Sequence, residues 1–209
     1  MSMETVAVQS AQPKPTRFLE KATQEGRMKI LGMWIYLASD VVLFATFFGA
    51  YLALRNHTNY GPTGQDLFDL RLSFLATAIL LTSSLTSVLA IVNMHKGKSR
   101  TMNRWFLVTA LLGYSFLVLE IYEFYHYVQM GLGFTTSAFG SSFYSLLGLH
   151  GAHVVFGASW IMALVIRNWR REVDSYTAPK YYLASLYWHF VDVIWVFIFT
   201  LVYLLGKVG

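Results

Sequence analysis

The sequence predicts an all-α integral membrane protein with five transmembrane helices. Three observations predict it. The 209 residues are 56% hydrophobic and only 13% charged, against about 45–50% and about a quarter in soluble domains. The mean hydropathy is +0.47. Apolar runs near the ~20 residues that cross the hydrocarbon of a bilayer occur five times, at about 30–54, 71–94, 105–128, 142–166 and 183–206. Backbone polar groups in lipid must be satisfied within the segment, so these runs are read as helices.

The elements follow in order. Residues 1–28 mix Lys, Arg, Glu, Gln and Pro and form an N-terminal segment outside the membrane. This segment lacks the apolar core and cleavage site of a signal peptide, so the first span is expected to direct insertion. Residues 29–209 are the membrane domain. After the first run, "NHTNYGPTGQDLFDL" carries a Pro and two Gly, which break helices. "HKGKSR" is a short basic turn between the second and third runs. "QMGLGFTTSAFGS" is uncharged and Gly-rich, and "RNWRREVDSYTAPK" is mixed and carries Pro179 near its end.

Charge orients the bundle. Lys14, Arg17, Lys21, Arg27, Lys29, Lys96, Lys98, Arg100, Arg104, Arg167, Arg170, Arg171 and Lys180 share one face if the helices alternate; Arg55, Arg71 and Lys207 share the other. The positive-inside rule puts the N-terminus in the cytoplasm and the C-terminus outside. The net charge of +5 then meets anionic lipid at the inner leaflet, and nucleic-acid binding is not needed to explain it. The chain has no cysteine, which excludes disulfides, thiolate zinc sites and iron–sulfur clusters.

Seven acids and histidines lie five or more residues inside the runs: Asp40, Glu120, Glu123, His150, His153, His189 and Asp192. Such groups are costly in hydrocarbon and face protein or water. Counted at ~1.5 Å per residue from the Lys/Arg-rich end, Asp40 and Asp192 lie at about 14–15 Å and His189 at about 9 Å. Glu120 and Glu123 lie at roughly 22–27 Å, and His150 and His153 at roughly 20–24 Å. His189 is therefore too far from the other histidines to share a metal or a haem with them. Glu120 or Glu123 is level with His150 and His153, and an interhelical hydrogen bond between the two pairs is expected. Gly148, Gly151, Ala152 and Gly157 mark the fourth run as a packing helix. The cluster "LTSSLTS", 81–87, is expected to bond to neighbouring helices. Three uses stay open for Asp40: structural hydrogen bonding, proton handling, and lining a lipid cleft.

Four stretches carry a family likeness: "ASDVVLF" (38–44), "LEIYEFYHY" (119–127), "HGAHVVFG" (150–157) and "WHFVDVIW" (188–195). In this order and spacing the chain resembles subunit III of the haem–copper respiratory oxidases, from about residue 28 onward, and most closely the bacterial cytochrome c oxidase form. The resemblance implies two groups of helices forming a V-shaped cleft that holds phospholipid, with Asp40 and Trp34 as candidate cleft residues. It implies a bacterial cell-membrane protein with no catalytic residue, redox centre or metal of its own, haem and copper being carried by partner subunits. It implies direct packing on subunit I, with subunits II and IV completing the complex, and support for proton uptake and stable turnover. The family position matching Asp40 is usually a carbodiimide-reactive carboxylate. It is Glu in the mitochondrial form and the shorter Asp here. The runner-up readings are subunit III of a quinol oxidase, a stand-alone proton-coupled transporter using Asp40 and Asp192, and a membrane haem enzyme. The lack of an internal repeat and of Pro within any run counts against the transporter.

Overall fold

The computed structural model describes residues 19–58 and 70–208. The N-terminal segment through residue 18, with Lys14 and Arg17, and the Pro- and Gly-bearing part of the first connector lie outside the described residues. The long helices are α1 (Gln24–Leu54), α2 (Leu70–His95), α3 (Ser99–Gln129), α4 (Ala138–Asn168) and α5 (Ala178–Ile198). A π-helical turn (Phe199–Leu204) and a last α-helical turn (Leu205–Val208) continue α5. No strand occurs among the described residues. Five helices are long and apolar enough to cross a membrane.

The helices begin earlier than the apolar runs, by up to six residues in α1. Hydropathy marks where lipid starts, whereas caps mark where the helix starts. The Thr23 side chain accepts from the Gly26 amide and the Ser137 side chain from the Gly140 amide, each at 3.0 Å. Each satisfies an orphan donor of the first turn. Pro179 sits in the first turn of α5, where its missing N–H costs nothing. A 31-residue helix such as α1 runs about 46 Å and projects past the hydrocarbon into the headgroup layer.

α2, α3, α4 and α5 close a ring: α2 and α4 each pack on both α3 and α5. α1 stands outside the ring, against α4 and α5, so the five helices divide four and one. Interhelical hydrogen bonds tie α2 to α5: Trp188 Nε1 donates to Ser83 Oγ and Trp195 Nε1 to Thr77 Oγ1, both at 3.0 Å. Ser87 and Ser185 hydroxyls meet at 2.8 Å. The Ser/Thr cluster of α2 thus bonds outward to α5, and through Thr86 to Thr109 of α3 at 2.8 Å.

Close approach falls at particular glycines. A Cβ on Gly113 would overlap the Trp188 ring, and one on Gly157 would meet Trp188 Cε3 at 3.0 Å. A Cβ on Gly151 would lie 2.9 Å from Glu120 Oε2. Gly148 faces open space; helix rotation turns this member of the expected packing stripe away from its neighbours.

The Lys/Arg-rich ends are stitched together. Buried Glu20 meets His95 Nε2 at 3.2 Å, tying the short 3-10 turn Leu19–Lys21 to the end of α2. Asn103 Nδ2 donates to the Asn168 carbonyl, and Tyr181 Oη to Asn103 Oδ1. In the turn before α5, Asp174 Oδ1 accepts from the Tyr176 and Thr177 amides and from Thr177 Oγ1 at 2.8–3.1 Å. The Thr177 side chain and amide hold the Asp174 carboxyl below its usual range. A lowered folded-state value stabilises this turn above the ordinary carboxylate range and loses that stabilisation as pH falls through the lowered value. Protection factors of the 174–177 amides, referred to intrinsic exchange at each pH, should therefore fall on acidification in wild type and lose that acid dependence in Asp174→Asn.

Candidate functional site

The intramembrane ionisable residues fall into three settings. The first is a groove where α1 meets α4 and α5. Tyr36, Asp40 and Phe44 recur every four residues, so they line one face of α1. Asp40 is buried and its Oδ2 lies 3.6 Å from His153 Nε2 on α4. His153 Nδ1 lies 2.8 Å from the Leu149 carbonyl. A carbonyl only accepts, so Nδ1 carries a proton and Nε2 is the nitrogen turned to Asp40. The 3.6 Å separation is longer than a hydrogen bond, and Asp40 Oδ2 has no hydrogen-bond partner, so the two groups face each other without a direct bond.

Rings enclose this pair. Phe44 and His153 centroids are 5.0 Å apart, and Tyr187 of α5 stacks on His153 at 6.4 Å and on Tyr36 at 6.4 Å. A shallow cavity of about 190 Å³, lined by Tyr36, Ala152, His153, Phe156 and Tyr187, opens beside them. Trp34 is 55% exposed, six residues and about 120° of helix rotation from Asp40.

The second setting lies inside the ring. Glu123 accepts from the Tyr127 hydroxyl, from Tyr203 Oη at 3.0 Å and from Ser73 Oγ at 3.4 Å. Tyr203 sits in the π-helical turn, where the wider turn re-aims the side chains after it. Glu120 packs on Gly151, next to His150. The His150 ring packs between Phe116 at 5.8 Å and Trp195 at 5.3 Å. The expected hydrogen bond between these acids and the α4 histidines does not form. Both His150 nitrogens and Glu120 Oε1 have no hydrogen-bond partner, His153 turns to Asp40, and Glu123 is held by hydroxyls. Depth brought the pairs level, but rotation aims them at different neighbours. Tyr203→Phe removes one donor to Glu123, and a loss of about 1 kcal/mol is expected, read as a lower thermal midpoint of the assembled protein.

The third setting joins α5 to α2. His189 Nδ1 lies 2.7 Å from Ser84 Oγ and Nε2 lies 3.5 Å from Ser185 Oγ. Asp192 is buried one turn on, and neither of its oxygens makes a hydrogen bond. Among the described residues, no three His, Cys, Asp or Glu gather so as to hold a metal ion. The sequence signalled each acid and histidine by its cost in lipid. The tyrosines that face them carry no such signal, because a Tyr in a span reads equally as a lipid-facing aromatic.

Comparison with known proteins adds a second line. The family model described as "Cytochrome c oxidase subunit III" matches residues 18–207. "Cytochrome c oxidase subunit 3" of Bacillus sp. strain PS3 is 54% identical over 200 residues, covering 96% of this chain and 97% of the relative. The protein of the same name from Alkalihalophilus pseudofirmus is 56% identical, covering 91% and 93%. "Quinol oxidase subunit 3" of Bacillus subtilis is 43% identical, covering 91% and 94%.

Proposed function

The chain belongs to the cytochrome c oxidase subunit III family, and on that premise we propose that its complex takes electrons from cytochrome c rather than from quinol. Membership makes it the third subunit of a multisubunit haem–copper oxidase, with subunit I, in a bacterial membrane. The observation that carries the choice of donor is the gap between 54–56% identity to the cytochrome c oxidase relatives and 43–46% to the quinol oxidase relatives. In this reading oxygen is reduced to water at haem and copper held by other subunits, while this chain performs no redox step. It packs on subunit I, with subunits II and IV in the same assembly, its N-terminus in the cytoplasm and its C-terminus outside.

The groove at Asp40 is the proposed phospholipid cleft. Support comes from its composition: an Asp40–His153 pair behind an aromatic wall, open where α4 exposes Phe156 at 56%. An acyl chain fits the wall, and the pair anchors α1 to α4 beneath it. Holding α1 and its lipid in place supports proton uptake by subunit I and prolongs turnover.

Purification of the native complex in mild detergent, with a haem spectrum, subunit mass spectrometry and oxidation assays, tests this reading. Oxidation of reduced cytochrome c and a copper-bearing subunit II are expected. A subunit II without copper ligands, with quinol as the working donor, would overturn the choice of donor.

A further inference from the structure

We propose that the Lys/Arg-rich end of the α3–α4 groove binds the phosphate headgroup of an anionic phospholipid from the adjacent leaflet. This site is separate from the Asp40 groove, which lies between α1, α4 and α5. It rests on the chain's place in a membrane and not on the electron donor of the complex.

The observations begin with a hollow of about 320 Å³ lined by Arg100 and Arg104 of α3 with Trp169 and Arg170 at the end of α4. A second hollow of about 380 Å³ shares Arg100 and Arg170 and adds Lys98, Arg171 and Glu172. Glu172 offsets one of the four charges there. Among the described residues, no carboxylate lies within salt-bridge distance of Arg100, Arg104, Arg170 or Arg171. All four side chains are exposed. Their charge is therefore unpaired by any protein carboxylate at salt-bridge distance and turned toward two adjoining hollows that share Arg100 and Arg170. The uncapped first turn of α3 and the last turn of α4 meet beside them; their dipoles oppose each other, so the arginines supply the positive potential. Guanidinium groups suit phosphate oxygens in paired hydrogen bonds.

What selects a lipid over a free anion is the surface that continues the site. Arg104, Val108 and Leu111 share one stripe of α3, and Ile166 lies one turn into the membrane from Arg170. Val108, Leu111 and Ile166 are 39%, 52% and 70% exposed. A free phosphate would use the arginines and gain nothing from this stripe; an acyl chain covers it. Trp169, 44% exposed, stands at the boundary where indole rings favour the interface.

The test uses the complete oxidase complex, stripped of lipid in detergent and titrated with phosphatidylglycerol, phosphatidylcholine or inorganic phosphate, with native mass spectrometry counting bound molecules. Phosphatidylglycerol is expected to occupy a site that phosphatidylcholine does not fill and that millimolar phosphate does not empty. In Arg100→Gln/Arg104→Gln/Arg170→Gln its affinity should fall by on the order of 100-fold, from about one factor of five per arginine. The triple Arg→Lys variant keeps the charge and should fall by only about tenfold, which reads the site even where the Gln variant does not assemble. Equal retention of phosphatidylcholine, displacement by phosphate, unchanged binding in both variants, or a partner subunit cross-linked over the hollow with no lipid retained would each overturn the proposal. A missing haem spectrum marks a fault in the oxidase reading, independently of lipid counts.

Discussion

Gly113→Val is expected to prevent normal assembly of the bundle. A side chain at this position enters the space of Trp188: a Cβ alone overlaps Cη2 and lies 2.9 Å from Cζ2. Trp188 cannot step aside cheaply. It is fully buried, its Nε1 donates to Ser83 Oγ at 3.0 Å, and its other edge lies so near Gly157 that a Cβ there would be 3.0 Å away. Overpacking costs about 1–3 kcal/mol, and displacing the indole adds a lost interhelical hydrogen bond of about 0.6–1.7 kcal/mol. The helices span without each other's help, so the expected result is an inserted but poorly packed chain. Yield of the assembled complex and its thermal midpoint should both drop sharply, with Gly113→Ala milder in the same direction. Combining Gly113→Ala with Trp188→Leu should cost less than the sum of the two, because the shorter side chain vacates the contested space. Strict additivity would show that this contact does not set the spacing of α3 and α5.

Asp40→Ala should leave the oxidase spectrum and initial rate intact while shortening the working life of the complex. The substitution removes the group facing His153 Nε2, which sits in a largely buried aromatic setting. Loss of this contact between α1 and α4 costs about 0.5–3 kcal/mol, equivalent to roughly two- to 150-fold in the equilibrium for local opening of α1 from α4. Number of turnovers before inactivation is the readout, and a fall of about tenfold is expected, with Asp40→Asn retaining much of the wild-type value. Loss of the haem spectrum with the subunit still bound would contradict an accessory role for the residue.

Much of the fold was legible because lipid leaves few options. A run of apolar residues long enough to span must be a helix, so α1 to α5 follow from hydropathy, and their N-terminal ends extend past the apolar runs, capped by Thr23 in α1 and Ser137 in α4. The acids and histidines were legible for the same reason, since each carries a large cost in lipid. Their partners were not. Depth placed Glu120 beside the α4 histidines, and Glu120 does pack on Gly151, yet His150 turned to Phe116 and Trp195 while His153 turned to Asp40. The π-helical turn that accompanies the Tyr203–Glu123 bond has no signature in a run that reads as helix throughout.

By itself, then, the sequence determined five spans, their alternation, the charged end, and the family to which four motifs point. Each follows from one-dimensional quantities: length, hydropathy, charge count and motif order. The tertiary structure decided that four helices form a ring with α1 outside it, that Asp40 meets His153, and that His189 meets Ser84. It also decided that four arginines distant in sequence line adjoining hollows. Those outcomes depend on how far each helix is rotated about its axis, and rotation is set by where glycines admit large rings, a property of two surfaces in contact and not of either strand of sequence alone.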